Sequence, residues 1–139
     1  MGRHRVLFIC THNSALSQMA EAMVNAWAGD RFEAFSAGTV ATAIRPETIH
    51  VMSQLGVDLT GQRSKNLDEF AGQSFEQVIT VCDEAAEACP TFPGATSMSH
   101  WSIPDPSAAG GSSENRLDAF RVARDTLADL VRRLVAEPG

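Results

Sequence analysis

Three cysteines and an aspartate carry the reactive side chains of interest in this 139-residue chain: Cys10, Cys82, Cys89 and Asp105. Cys10 closes the apolar run Val6–Ile9 and opens a polar loop, Thr11-His12-Asn13-Ser14-Ala15-Leu16, that leads to Ser17. A strand that delivers a thiol to its carboxyl end, followed at once by a helix, lets the intervening loop turn its N–H groups inward. Such a nest, backed by a helix N-terminus, binds anions. It also biases the thiol toward thiolate, the nucleophilic form, which is only ~3% populated at pH 7 for an unperturbed cysteine. Ser17 can add a hydroxyl hydrogen bond to the sulfur. A cysteine at a strand end also reads as a small buried hydrophobe, and it is the loop after Cys10 that favours chemistry. Loops of this kind that bind tetrahedral oxyanions usually place arginine six residues after the cysteine. Here that residue is Leu16.

Cys82 and Cys89 are seven residues apart on a helix-prone stretch, DEAAEAC, that stops before Pro90. Two helical turns separate them by ~10.5 Å of rise, whereas a disulfide needs Cα atoms within about 7 Å. They pair only if that segment melts or bends. The segment is short, acidic and alanine-rich, so little apolar burial would hold it. The two cysteines are therefore either a redox-driven conformational switch or two unrelated core residues. Asp105 sits between Pro104 and Pro106. There it is either a general acid held over an anion site or a solvent-facing turn residue.

Strands and helices alternate around these residues. Val6–Ile9, Phe32–Ser36, Gln77–Val81 and Ala95–Ser99 read as strands. Met19, Ala20, Met23, Ala26 and Trp27 recur at helical spacing, predicting a helix over 17–28 ended by Gly29. Pro46 starts a second helix running to about Leu55 with Gly56 as its stop. Leu67–Phe70 and Asp83–Cys89 predict short helices. A long one spans about 113–135, with the stripe Leu117, Phe120, Leu127, Leu130, Val131 and Leu134. Residues 100–112 read as a loop. This pattern predicts one α/β domain over residues 1–139, with a mostly parallel sheet covered on both faces. Ligands of such sheets sit at the carboxyl ends of the strands, where Cys10 and Cys82 both fall.

Composition narrows the partners. The chain is 44% hydrophobic and 20% charged, as expected of a globular protein. A formal net charge of -6 disfavours nucleic-acid binding, so attraction of an anion has to be local. No apolar stretch is long enough to span a membrane, and MGRHRVLFIC does not read as a secretory signal. An odd number of cysteines without a Cys-x-x-Cys pair, with scattered histidines, predicts thiol chemistry in the cytoplasm and no metal site.

Taken together, FICTHNSALSQMAEA at 8–22, FSAG at 35–38, VITVCDEAAEACP at 78–90 and HWSIPDP at 100–106 resemble the thioredoxin-coupled arsenate reductases that share the low-molecular-weight tyrosine phosphatase fold. The resemblance covers essentially the whole chain. It implies a single-domain three-layer sandwich, with a four-stranded parallel sheet and helices on both faces. It further implies that Cys10 attacks arsenate in the Thr11–Leu16 loop, where phosphate or sulfate also fits, while Asp105 protonates the departing oxygen. Cys82 then attacks the adduct, arsenite leaves, and a Cys10–Cys82 disulfide passes to Cys82–Cys89, which thioredoxin reduces. Asn13 would shape the loop and Ser17 would stabilise the thiolate. No cofactor and a monomeric state are expected. Some relatives bind potassium near residues matching Asn13, Glu21 and Ser36, with an aspartate where this chain has Lys65; the lysine predicts no potassium requirement here.

Leu16 departs from the family pattern. A guanidinium grips an oxyanion through two parallel charge-assisted hydrogen bonds, and leucine makes none, so a weak or lost first step is expected with the fold intact. Arg45 and Arg63 are the basic residues near probable loops. Two other readings compete. A tyrosine phosphatase would need Cys10 and Asp105 but neither Cys82 nor Cys89, and the chain has no Tyr to line a phosphotyrosine slot. A non-catalytic oxyanion-binding or redox-sensing homologue would accommodate Leu16.

Overall fold

The computed structural model describes residues 3–81, 93–106 and 109–136. Strands β1 (His4–Cys10), β2 (Phe32–Gly38), β3 (Phe75–Thr80) and β4 (Ala95–His100) form one sheet in the order β2-β1-β3-β4. Every neighbouring pair is parallel. β1 is therefore central, and its run Val6-Leu7-Phe8-Ile9 is fully buried, as expected of a strand covered on both faces.

Helices α1 (Leu16–Ala28), α2 (Pro46–Ser53) and α3 (Ser113–Ala136) follow β1, β2 and β4. α1 packs on β1 and β2, and α3 packs against both α1 and α2. Ser36 of β2 points toward this layer, since its Oγ donates to Glu21 Oε1 of α1 at 2.5 Å. Alternation along the strand then sends Phe35 to the opposite face. There it meets Phe70, from the 3-10 turn Leu67–Phe70, and Phe75, with ring centroids 5.7–5.9 Å apart in edge-on geometry. The Arg5 guanidinium lies over Phe35 and Phe75 at 4.9 and 4.5 Å from their centroids.

The strands are longer than the apolar runs alone predict, because ladder bonds continue through polar residues at both ends: His4 to Cys10 pairs with Phe32 to Gly38 without a break. β3 lies slightly earlier than expected, starting at Phe75 and leaving Val81 beyond its end. One helix face needs correction. Met19, Ala20 and Met23 are buried as expected, but Ala26 and Trp27 are exposed, and α1 buries Leu16, Val24 and Ala28 in their place. Trp27 lies on the protein surface, under the Arg132 guanidinium at 5.1 Å. α2 ends at Ser53, with Gly56 at φ 75 making the stop. The predicted helix Asp83–Cys89 lies outside the described residues, so the helical cover described here is on one face, with the 3-10 turn on the other.

Phe120 of α3 is completely buried within this core. Phe120→Ala should cost about 3–5 kcal/mol through lost burial and the cavity left behind, read as a lowered midpoint in urea unfolding.

Candidate functional site

The loop between β1 and α1 is held by its carbonyls. Segment 39–45 runs beside it: Thr39 N–H donates to Cys10 O (3.2 Å), Val40 to Thr11 O (2.8 Å), Thr42 to His12 O (3.2 Å) and Arg45 to Ser14 O (3.1 Å). Thr48 Oγ1 adds a second bond to Ser14 O at 2.9 Å. Asn13 O accepts from Ser64 Oγ at 2.8 Å, and Ala15 O accepts from Met19 N at 2.9 Å. All six carbonyls from Cys10 to Ala15 thus point into protein donors. A peptide unit whose C=O is fixed one way must aim its N–H the other way. Among the described residues, the amides of Ser14, Ala15, Leu16 and Ser17 make no backbone hydrogen bond. Ala15, the residue before α1, offers no side-chain cap. The geometry is that of an anion nest at a helix N-terminus.

Asn13 makes the bend. It sits at φ 54, the only positive φ outside glycine among the described residues, in a region asparagine tolerates better than most side chains. Its side chain is fully buried. Oδ1 accepts from the backbone N–H of Lys65 at 2.8 Å, which fixes the orientation of the amide. Nδ2 then donates to Ser17 Oγ (2.8 Å) and Ser36 Oγ (3.0 Å). Ser17 accepts this bond, so its own proton is left to donate, as thiolate stabilisation would require. Ser36 spends its proton on Glu21.

Four contributors to this site have no reactive signature in the sequence. Gln18 is buried and donates to Asn13 Oδ1 (2.8 Å) and Arg63 O (2.9 Å). Ser64 and Thr48 hold loop carbonyls. Gly38, the last residue of β2, passes so close that a Cβ there would stand 2.6 Å from Thr11 O and 2.9 Å from Asn13 N. Only glycine at that strand end signalled the close approach.

The basic residues near the loop are differently engaged. Lys65 Nζ lies 3.4 Å from Glu21 Oε1, with both side chains about seven-eighths buried (13% and 12% exposed); it also donates to Arg63 O at 3.1 Å. The Glu21 carboxylate thus already holds an ammonium, which leaves it poorly suited to a monovalent metal cation. Arg63 donates to both carboxylate oxygens of Glu69 at 3.0 and 2.6 Å. That pairing holds the Glu69 carboxyl below its ordinary range and raises Arg63. Arg63 is thus turned to Glu69 rather than toward the loop.

Cys10 is a partly buried thiol at the end of β1. His12 is exposed and takes part through its carbonyl. Leu16 is fully buried, part of the hydrophobic core. Asp105 is exposed, in the loop leaving the carboxyl end of β4, on the same rim of the sheet as Cys10. Trp101 at the start of that loop packs on Phe8, with centroids 5.6 Å apart, and Ile103 is buried. The loop is therefore anchored on both sides of Ser102, ahead of the aspartate. Cys82 and Cys89 lie outside the described residues.

Among the described residues, no helix is long and apolar enough to cross a membrane. Residues 5–137 match the family model of low molecular weight phosphotyrosine protein phosphatases. A relative from Halalkalibacterium halodurans, described as an arsenate reductase, is 34% identical over 139 residues, covering 100% of this chain and 99% of its own. An arsenate reductase of Bacillus subtilis is 33% identical over 96% of both chains. Among solved structures, an arsenate reductase in the oxidized state superposes with a TM-score of 0.81 at 26% identity, over 95% of this chain and 96% of its own. One in the phosphate binding state gives 0.79 at 26% identity, over 96% and 97%.

Two outcomes follow from this geometry. Gly38→Ala should displace the loop and abolish protection of Cys10 from alkylation by phosphate, measured by mass spectrometry, while leaving the far-ultraviolet circular dichroism native. Replacing sodium with potassium should leave the melting temperature of the protein unchanged, whereas Lys65→Asp should make it rise with potassium.

Proposed function

The chain belongs to the low molecular weight phosphotyrosine protein phosphatase family, and from that premise we propose that it is an arsenate reductase whose first chemical step is weakened by Leu16. The observation that carries this reading is the Cys10 loop, whose six outward-held carbonyls turn its amides toward an oxyanion at the thiol. Full-length similarity to arsenate reductases supports arsenate over a phosphoester, as do the two further cysteines, which phosphoester hydrolysis does not need.

In this reading the Cys10 thiolate attacks arsenic(V), and an oxygen leaves with a proton from Asp105. Cys82 then attacks the Cys10 sulfur. The sulfur–arsenic bond breaks, its electron pair stays on arsenic, and arsenite departs as a Cys10–Cys82 disulfide forms. Cys89 attacks Cys82 and releases the Cys10 thiolate. The resulting Cys82–Cys89 disulfide takes two electrons from a cytoplasmic thioredoxin dithiol. Ser17 and the amides of Ser14 to Leu16 hold the thiolate and the oxyanion through these steps, with no bound cofactor and the monomer as the working unit.

The missing guanidinium bears on the first attack alone. Loss of one oxyanion-hole donor costs about 10²–10³ in rate. A purely anion-binding or redox-sensing role draws on the same observation, since Leu16 lies in the core and offers the anion nothing.

Leu16→Arg should raise arsenate-dependent thioredoxin oxidation by up to about 10²–10³, the full gain being expected where no other residue supplies a guanidinium to the loop, followed as NADPH consumption with thioredoxin reductase. In that background, Cys82→Ser or Cys89→Ser should abolish turnover. Absence of arsenate-dependent thioredoxin oxidation by Leu16→Arg would overturn the account, and phosphate release from an aryl phosphate that survives loss of both cysteines, with no such oxidation, would assign hydrolysis instead.

A further inference from the structure

The loop lacks the cation that normally sits six residues after the cysteine, and the surroundings of the loop indicate where a replacement stands. Strands running parallel put the loops after β1, β2, β3 and β4 on one rim. Arg3, Arg5 and Arg31 lie at the other rim, at or before the starts of β1 and β2. Arg132 and Arg133 lie near them at the end of α3, where Val135 O accepts from Arg31 at 2.7 Å and Arg132 lies over Trp27. Of the basic groups on the active rim, Lys65 is held by Glu21 and Arg63 by Glu69. Arg116 pairs with Glu47 at 3.5 Å, and Arg121 pairs with Asp118 at 2.7 Å. Arg124 donates to Val51 O (3.0 Å) and Gln54 Oε1 (2.9 Å). Segments 82–92 and 107–108 contain no Lys, Arg or His.

Arg45 remains. Its backbone N–H donates to Ser14 O at 3.1 Å, so its Cα is fixed at the outer, carbonyl side of the loop, from which only a long side chain can reach the anion. It sits just before Pro46 in extended backbone (φ -71, ψ 143), the conformation a following proline favours. Its side chain is exposed, and among the described residues its guanidinium has no acidic partner. The nearest carboxylate along the chain, Glu47, is already engaged by Arg116. We propose that Arg45 supplies the guanidinium for a tetrahedral oxyanion in the Cys10 loop, in place of the residue lost at Leu16. The charge then enters from the β2–α2 connection rather than from the first turn of α1. The proposal rests on the reading of the Cys10 loop as an oxyanion site, and it makes Arg45 an anion-binding residue of that site.

The test is calorimetric titration of inorganic phosphate into the full chain and into Arg45→Met, Arg45→Lys and Leu16→Arg, with phosphate protection of Cys10 from iodoacetamide as the local readout. Arg45→Met should weaken binding about 10- to 100-fold, the range of a charge-assisted hydrogen bond, and flatten its dependence on ionic strength. Arg45→Lys should recover part of the affinity. Leu16→Arg should make the Arg45→Met substitution nearly silent. Equal affinity in the unaltered chain and Arg45→Met, with Cys10 still protected, would overturn the role of Arg45 and leave the loop reading intact. If the unaltered chain binds no phosphate but Leu16→Arg does, Arg45 again fails while the loop stands. If neither protects Cys10, the loop reading fails with it.

Discussion

A loop can present its amides to an anion only if something else occupies its carbonyls. Between Cys10 and Ala15 every carbonyl is taken by a donor of the protein, four of them by backbone N–H groups of segment 39–45. This is the constraint on which the rest of the site depends. A peptide plane left free to rotate would aim its C=O inward part of the time and repel the anion it is meant to hold. Fixing the planes in the folded chain leaves no reorganisation cost to be met when charge arrives, which is the basis of preorganised electrostatic stabilisation.

The donors to those carbonyls come from distant parts of the chain, so the site is only as rigid as the contacts that hold them. Segment 39–45 follows β2, and β2 is locked to β1 in unbroken register up to the Cys10–Gly38 pair. Gly38 lets the two backbones pass at a distance no other residue permits. From the other side, Ser64 and Lys65 reach Asn13, and the buried sequence Lys65–Glu21–Ser36–Asn13–Ser17 ties α1, β2 and the loop into one polar network. Each member has a partner inside the network, which is what makes so much buried polarity tolerable. Lys65 neutralises Glu21 within it, so the network brings no uncompensated negative charge toward an anionic ligand.

Much of the frame was legible in the residue pattern. The apolar run into Cys10, the glycine stops after α1 and α2, and the stripe of α3 each follow from a local rule of burial or backbone conformation. The cysteine loop was legible because its chemistry depends on residue type. The strap that holds it was not. TVATAIR has no periodicity, and its contribution comes through backbone N–H groups that any non-proline residue carries. Gln18, Thr48 and Ser64 were invisible for a related reason: their partners lie up to 51 residues away, and only the folded sheet brings them together. Of the stripe expected for α1, Met19, Ala20 and Met23 are buried while Ala26 and Trp27 are exposed; helical spacing alone does not say which edge of an apolar stripe the packing covers, and here the covered face extends to Leu16, Val24 and Ala28.

Leu16 shows two demands meeting at one position. The first residue of α1 lies at the junction of the core and the proposed oxyanion loop. Leucine is completely buried there, and full burial of such a side chain contributes about 1.5–3 kcal/mol relative to exposure. A guanidinium could not take that place, because an unpaired buried charge costs more than the packing returns. Loss of an oxyanion-hole donor, by comparison, raises a barrier by about 2.7–4 kcal/mol. The two quantities are similar in size and opposite in what they favour. Leucine at this position therefore supports the packing of α1 on the sheet, and under the proposed oxyanion role the positive charge has to come from another part of the rim. Because the outward carbonyl bonds do not involve the Leu16 side chain, the nest itself is retained whichever residue stands there, and what changes is only the charge it can draw on.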